Sequence, residues 1–199
     1  GLLNPPYKSD KKNDTEELEF VLNNLDCIEQ GGKTAAIVPM QAALAQTGKI
    51  LELKKRLLEQ HALEAVLSMP DELFFNSNVG VVSCIMVFTA KRPHPKNKKT
   101  FFGYFKDDGF VKRKNKGRID AFGKWDSIKE DWIRAYINKE DIAGVSINQV
   151  VKAEDEWCAE AYMETDYSAL SEKDFEKTIK EFVYFNQLFG NNKYEDDQS

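Results

Sequence analysis

The run Val79-Gly80-Val81-Val82-Ser83-Cys84-Ile85-Met86-Val87-Phe88-Thr89 is apolar on both alternations. A strand with one wet face places a polar residue at every second position, and this one does not. Both of its faces must be covered, so it belongs in the interior of a sheet. Working outward, Leu63 to Met69 is a second short apolar run, stopped by Pro70, and Thr34 to Val38 is a third, stopped by Pro39. Between them, residues 50–61 carry Leu53, Leu57 and Leu58 on one side of a helix. Ahead of them, residues 14–30 place Leu18, Val21, Leu22, Leu25 and Ile28 at helical spacing, with Thr15 as the expected cap and Gly31-Gly32 as the stop. Helices alternating with short buried strands predict an α/β sheet.

Beyond Lys91 the texture changes. Pro93-His94-Pro95 among lysines reads as a loop. Thr100–Phe105 and Gly109–Lys112 are expected to form a hairpin around Asp107-Asp108-Gly109, because Asp-Gly favours the turn. Residues 126–138 predict a helix presenting Trp132 and Tyr136. Residues 171–189 predict another, capped by Ser171 with Asp174 as a capping-box variant. Its stripe of Phe175, Ile179, Phe182, Val183 and Phe189 is expected to bury in the core, and Gly190 ends it. The expected organisation is an α/β domain over 1–90 and a basic loop, hairpin and helical connector over 91–152. A mostly helical C-terminal region over 153–190 and an unstructured tail over 191–199 complete it.

The chain has 199 residues, 42% hydrophobic and 31% charged. No run approaches the ~18 apolar residues of a spanning helix, and the first thirty residues carry no secretory pattern. A cytoplasmic protein is expected. Cys27, Cys84 and Cys158 are odd in number and far apart, and predict reduced, buried thiols. Two histidines are too few for a His-based metal site. The acids Glu154, Asp155, Glu156 and Glu160 read as a solvated helix face rather than metal ligands.

The net charge of −5 hides an asymmetry, because residues 91–118 hold 11 basic and 2 acidic side chains while residues 153–199 hold 4 and 13. In the basic stretch Phe101, Phe102, Tyr104, Phe105 and Phe110 are interleaved with cations, as on a nucleic-acid surface and equally as in a lysine-rich hairpin. Lys112, Arg113, Lys114, Lys116 and Arg118 are the candidates for contact with a phosphate backbone.

The stretch that carries chemistry is Leu2-Leu3-Asn4-Pro5-Pro6-Tyr7. Two prolines lack N–H groups and have fixed φ, so the chain leaves a strand and cannot continue its ladder. Asn4 and Pro5 each precede a proline and are held extended. The product is a stiff loop of outward acceptors with an aromatic ring at its end, suited to an amino group on a flat ring.

This segment resembles the catalytic motif of the N6-adenine DNA methyltransferases, (Asp/Asn/Ser)-Pro-Pro-(Tyr/Phe/Trp). The resemblance implies that the Asn4 side-chain oxygen and the Pro5 carbonyl accept hydrogen bonds from adenine N6, that Pro6 stiffens the loop, and that Tyr7 stacks on an adenine flipped from duplex DNA. It implies S-adenosylmethionine as the methyl donor. The strands and helices of residues 1–90 look like the second half of a Rossmann-like methyltransferase sheet. They resemble in particular the modification subunits of type I restriction-modification systems. In that family the loop at Phe75 and Asn78 shapes the pocket of the flipped base, and the C-terminal region, here Asp155–Asp166 onward, meets a specificity subunit. A second modification subunit completes such assemblies.

In that family the glycine-rich donor-binding loop and its acidic ribose partner precede the motif, whereas this sequence starts at the motif. A C-terminal piece of a longer protein, inactive by itself, is therefore expected. Two further function classes stand beside the first. One is methyl transfer to an RNA base or a protein glutamine. The other is a non-catalytic module that clamps DNA and docks a specificity subunit.

Overall fold

The computed structural model describes residues 1–8, 10, 14–71, 73–74, 80–114, 116–163 and 171–189. Its main sheet has six strands: β1 Leu2–Leu3, β2 Lys33–Pro39, β3 Ala62–Ser68, β4 Ser83–Thr89, β5 Lys99–Tyr104 and β8 Ser146–Val150. They lie in the order β1-β2-β4-β3-β5-β8. The β1–β2 and β3–β5 pairs are parallel, and β4 is antiparallel to both β2 and β3. Four strands (β1, β2, β3, β5) therefore run one way, and β4 and β8 run back between and beside them. The apolar run that predicted an interior strand is β4, paired on both sides, with Cys84, Met86 and Phe88 fully buried.

One face of the sheet is covered by α1 Glu17–Cys27, α2 Met40–Leu44 and α3 Gly48–Gln60. In α1, Leu18, Val21, Leu22 and Leu25 fall on one side and are at most 1% exposed. Thr15 does not cap it. The capping position is Glu16, which makes no side-chain capping bond. Cys27 lies at the helix end and is exposed, whereas Cys84 and Cys158 are buried. The expected burial of all three thiols thus fails at Cys27, which faces away from the α1 stripe.

The sheet continues past residue 90. Residues 99–104 form no hairpin with 109–112; β5 instead pairs in parallel with β3 and antiparallel with β8. The hairpin is displaced onto β6 Val111–Arg113 and β7 Gly117–Ile119. The Asp108 carboxylate accepts the Phe110 N–H at 3.0 Å and pairs with Arg118, which holds the segment between β5 and β6 without folding it back along β5. β7 and β8 are joined by α4 Trp125–Asn138, which covers the other face. There Phe105 stacks on Trp132 at 4.6 Å and Phe101 meets Tyr136 at 5.7 Å. Phe101, Phe102 and Phe105 are buried core residues. They are not the stacking platform that their interleaving with lysines suggested.

Residues 151–163 pack on the first face, with Trp157 and Ala159 fully buried and a single 3-10 turn at Ala159–Ala161. Glu154 and Asp155 are not on a helix. Glu154 pairs with Lys55, and the Asp155 carboxylate accepts the Lys152 N–H. The fastening is Lys54 of α3, itself fully buried. Its ammonium donates to the carbonyls of Ala43 (3.1 Å), Ala45 (3.1 Å) and Asp155 (2.6 Å), and lies 4.6 Å from the Trp157 ring centroid. Three carbonyls and an aromatic face replace the water a buried ammonium loses. All of these elements belong to one compact unit, Gly1–Glu164.

A second unit begins at Thr165 and contains α5 Glu172–Phe189. Ser171 and Asp174 form the expected capping pair, the Ser171 N–H donating to the Asp174 carboxylate at 2.8 Å. Four residues of the predicted stripe are exposed, and the side chain of the fifth, Phe189, lies outside the described residues. Phe175, Ile179, Phe182 and Val183 are 53, 62, 63 and 47% exposed. Among the described residues no helix is long and apolar enough to cross a membrane.

Candidate functional site

In open α/β sheets, ligands meet the carboxyl ends of the strands. At that end of β1 the chain turns into Asn4-Pro5-Pro6-Tyr7. Both sides of this loop are anchored. Upstream, the Ala35 N–H donates to the Gly1 carbonyl at 3.0 Å and carries β1 along β2. Downstream, the Lys8 N–H donates to the Glu17 carboxylate at 2.7 Å, and the Lys8 ammonium pairs with Glu16 at 2.5 Å. Glu16 and Glu17 begin α1, so this helix start grips the loop through its acids. Sequence reasoning places Thr15 at that position and misses the two acids. An acidic pair entering a helix after a polar loop is the signal that could have found them.

Within the loop, Asn4 and Pro6 are exposed and Pro5 is buried. The Asn4 amide is open to a ligand, and no proline N–H competes for its oxygen. The Tyr7 ring is half-buried and meets Phe74 edge-on at 6.0 Å. Its hydroxyl is buried with no hydrogen-bond partner among the described residues. Burial, with Cys84 and Glu17 adding to it, pushes this phenol up to about 12, so it stays neutral and keeps its proton.

Farther along the same edge of the sheet, beyond β2 and β4, two more strand ends are braced. β3 ends at Ser68, whose hydroxyl donates to Glu160 at 2.7 Å. Lys106, just past β5, pairs with Asp71 at 2.5 Å and lies 3.9 Å from Glu160. Glu160 thus ties the 3-10 turn to two strand ends. Phe75 and Asn78, the expected base-pocket residues, lie outside the described residues.

The basic candidates are collected on the β6–β7 hairpin. Lys112, Arg113, Lys114 and Lys116 are exposed there. Arg118 differs, because one guanidinium nitrogen donates to both Asp108 oxygens at 2.7 and 2.9 Å and the group lies over Phe110 at 5.7 Å. Its charge is spent bracing the hairpin. Asp108, which predicted a turn, serves as that brace.

The pattern of the N-6 DNA Methylase family matches residues 4–188 of this chain. A type II restriction enzyme and methyltransferase of Heyndrickxia coagulans, RM.BcgI, is 34% identical over 190 residues, which is 92% of this chain and 29% of that protein. The MpnII methylase subunit of Mycoplasma pneumoniae, a type I restriction enzyme component, is 32% identical over 119 residues, 60% of this chain and 20% of that one. The chain therefore spans less than a third of the curated relatives it matches. The crystal structure of a type I restriction-modification methyltransferase subunit from Streptococcus thermophilus superposes with a TM-score of 0.64 at 21% identity, covering 82% of this chain and 37% of that one. That likeness concerns the fold, the α/β sheet with its helical faces. With the family match running from Asn4 almost to the end of α5, this chain belongs to the N-6 DNA Methylase family.

Proposed function

We propose that these residues form the target-base half of an adenine-N6 DNA methyltransferase of a restriction-modification system. The observation that carries the reading is the Asn4–Tyr7 loop, anchored at both ends at the carboxyl edge of the sheet, with an exposed amide and a ring beside it. The Asn4 oxygen and the Pro5 carbonyl accept the two N–H bonds of adenine N6. That draws the nitrogen lone pair out of the ring's conjugation and aims it at the donor. Tyr7 offers its ring to the flipped base. The chemistry rests on positioning and on fixed acceptors, and requires no base of perturbed pKa.

The residues fit the methyl-bearing end of S-adenosylmethionine, since an exposed amide and two N–H-free prolines leave room for a cationic sulfonium. When bound, that cofactor supplies an electrophilic methyl group. The residues do not include a glycine-rich turn after a strand, and holding the remainder of the cofactor is assigned to other parts of a longer protein. In this reading 1–90 is the catalytic part, 91–152 the basic connector and 153–190 the assembly region. The exposed cations Lys112, Arg113, Lys114 and Lys116 take backbone phosphates, and Arg118 orients them. The substrate is double-stranded DNA in the cytoplasm.

A second reading has its own support. The 47–63% exposure of Phe175, Ile179, Phe182 and Val183 on α5 suits a helix that receives another subunit. The specificity subunit and a second modification subunit are the proposed occupants, and both readings can hold for one protein.

The test is transfer of labelled methyl to unmethylated DNA by the full-length protein with its neighbouring subunit. Label is expected on adenine N6. The Asn4→Ala variant is expected to lose about 10²–10³-fold, the scale of one removed transition-state hydrogen-bonding group, with its melting temperature unchanged. Label on RNA or protein, and none on DNA, overturns the substrate assignment. An unaffected Asn4→Ala variant overturns the role of the loop.

A further inference from the structure

The basic stretch 91–118 is divided by β5. Residues 106–118 follow the carboxyl end of that strand, at the edge where the motif lies, whereas residues 91–98 precede it and Lys99 opens it at the amino end. At that opposite end, two clefts adjoin and share Glu64 and Lys98. One is lined by Lys33, Arg92 and Lys98, the other by Lys98, Lys99 and Lys139. Seven-residue strands such as β2 separate this end from Asn4 by about 20 Å at ~3.3 Å per residue.

The charge here is not balanced. Glu64 accepts from Lys33 at 3.3 Å, from Lys98 at 2.9 Å and from the Thr89 hydroxyl, so both of its oxygens are taken. Asp141, the other acid, holds Asn148. Arg92 and Lys99 make no ion pair among the described residues, and both are exposed. Lys139 sits in the left-handed region at φ 54° with its ammonium 3.9 Å from the Tyr136 ring centroid. Burial draws that ammonium down to about 8, and Lys98 and Lys33 add to the effect against the pull of Glu64. An anion would relieve this crowding.

The array is also stiff. Pro93 and Pro95 fix the loop, and the two imidazoles beneath it accept backbone N–H groups, His94 from Leu63 at 3.2 Å and His61 from Lys91 at 3.0 Å. Arg92 packs on Gly31, where a Cβ would come within 2.9 Å of the guanidinium. Gly31 is itself at φ +84°, so a side chain is disfavoured twice. Among the described residues no aromatic or branched aliphatic side chain lines either cleft. A protein partner would need such an anchor at the centre of its interface, whereas a phosphate backbone needs only fixed cations.

We propose that the amino end of the sheet is a second polyanion-binding surface, which takes the phosphodiester backbone of duplex DNA outside the methylation target. This rests on the reading that the whole protein works on DNA. The test compares the full-length protein with its Arg92→Gln/Lys99→Gln double variant, both assembled with the neighbouring subunit. Neither residue belongs to the proposed methylation site. Binding is measured to duplexes of about 20 and 60 base pairs at several salt concentrations.

Losing two phosphate contacts is expected to lower the salt slope by about 2 and to weaken binding to the long duplex about tenfold. Methyl transfer to a saturating short target duplex is expected to be unchanged. Equal affinity and slope for both proteins, while the wild type methylates normally, overturns this inference alone. Normal DNA binding with weakened subunit assembly overturns it in favour of an acidic protein surface. A wild type that neither binds nor methylates DNA overturns this inference together with the reading beneath it.

Discussion

Asn4 and Tyr7, at one end of the sheet, and Glu64, at the other, stand in opposite relations to their surroundings. At the carboxyl end, the Asn4 amide faces solvent and the Tyr7 hydroxyl is buried without a partner among the described residues. At the amino end, Glu64 holds two lysines and a hydroxyl, and is pulled down to about 2. Burial pushes Glu64 up, but the Thr89 and Lys98 hydrogen bonds and the charges of Lys98 and Lys33 outweigh it. A group that has found all its partners inside the chain contributes to folding. A group that has not is held in place by others for something outside. The Asn4–Tyr7 loop is held by Glu16 and Glu17 on one side and by β2 on the other, and Lys54 fastens the 151–163 segment to the helical face of the sheet.

The largest stability effect is expected there. Lys54→Met takes the ammonium from the Ala45 and Asp155 carbonyls, while Ala43 keeps the Trp157 N–H at 3.1 Å, and should cost about 3 kcal/mol, read as a lowered melting temperature. A loss below about 1 kcal/mol would mean that the segment is held mainly by Trp157. Next is the amino end. The Glu64 pKa is lower in the folded chain than its ordinary 4.5. Its contribution is therefore complete above pH 4.5 and drains away as the pH falls from there toward 2. Glu64→Gln should cost at most about 3.5 kcal/mol at neutral pH, because each tenfold change in proton affinity between the folded and unfolded chain is worth about 1.4 kcal/mol. It should also flatten the acid limb of the melting curve between those values. An unchanged acid limb would show that Glu64 is not the keystone of that end.

Smaller effects sharpen the contrast. Tyr7→Phe removes a buried hydroxyl that has no partner among the described residues, and stability should stay level or rise by up to about 1 kcal/mol. Methyl transfer by the full-length protein should survive Tyr7→Phe and fall sharply in Tyr7→Ala, because under the proposed function it is the ring that meets the base. Equal loss in both would assign the work to the hydroxyl. Smallest of all, Phe182→Ala on α5 should leave the melting temperature within the scatter of a surface substitution, about 0.5 kcal/mol. A large drop would show that its face is covered.

What could be read from the sequence follows from how local each signal is. β2, β3 and β4 are apolar runs closed by Pro39, by Pro70 and by the polar residues after Thr89, and every one of these cues lies within the run or beside it. The Asn-Pro-Pro-Tyr loop was legible for the same reason. β5 was misread because its partners are Ala65–Ser68 and Ser146–Val150, more than thirty residues away on either side. The nearby Asp108-Gly109 pair offered a local turn in their place. A cue was present in Phe101 and Phe102, successive apolar residues that no hairpin with one wet face accommodates. Helical spacing found α4 and α5 equally well, yet Trp132 stacks on Phe105 while Phe182 is 63% exposed. Periodicity identifies the apolar side of a helix and carries no information on what lies against it. Glu17 and Lys54 escaped notice because a buried charge looks like a surface charge until its partners are known.

The placement of β4 bears on how the chain is made. β2 and β3 are neighbours of β4, not of each other, so neither has its central partner until Thr89 has left the ribosome. Up to that moment a nascent chain carries two apolar strands, Lys33–Pro39 and Ala62–Ser68, with open edges. Insertion of β4 closes both at once, and synthesis must reach Tyr104 before the far edge of β3 is paired as well. Unpaired edges of this kind are where growing chains associate wrongly. The interval between residues 68 and 104 is therefore the period of translation in which this protein is most exposed to aggregation.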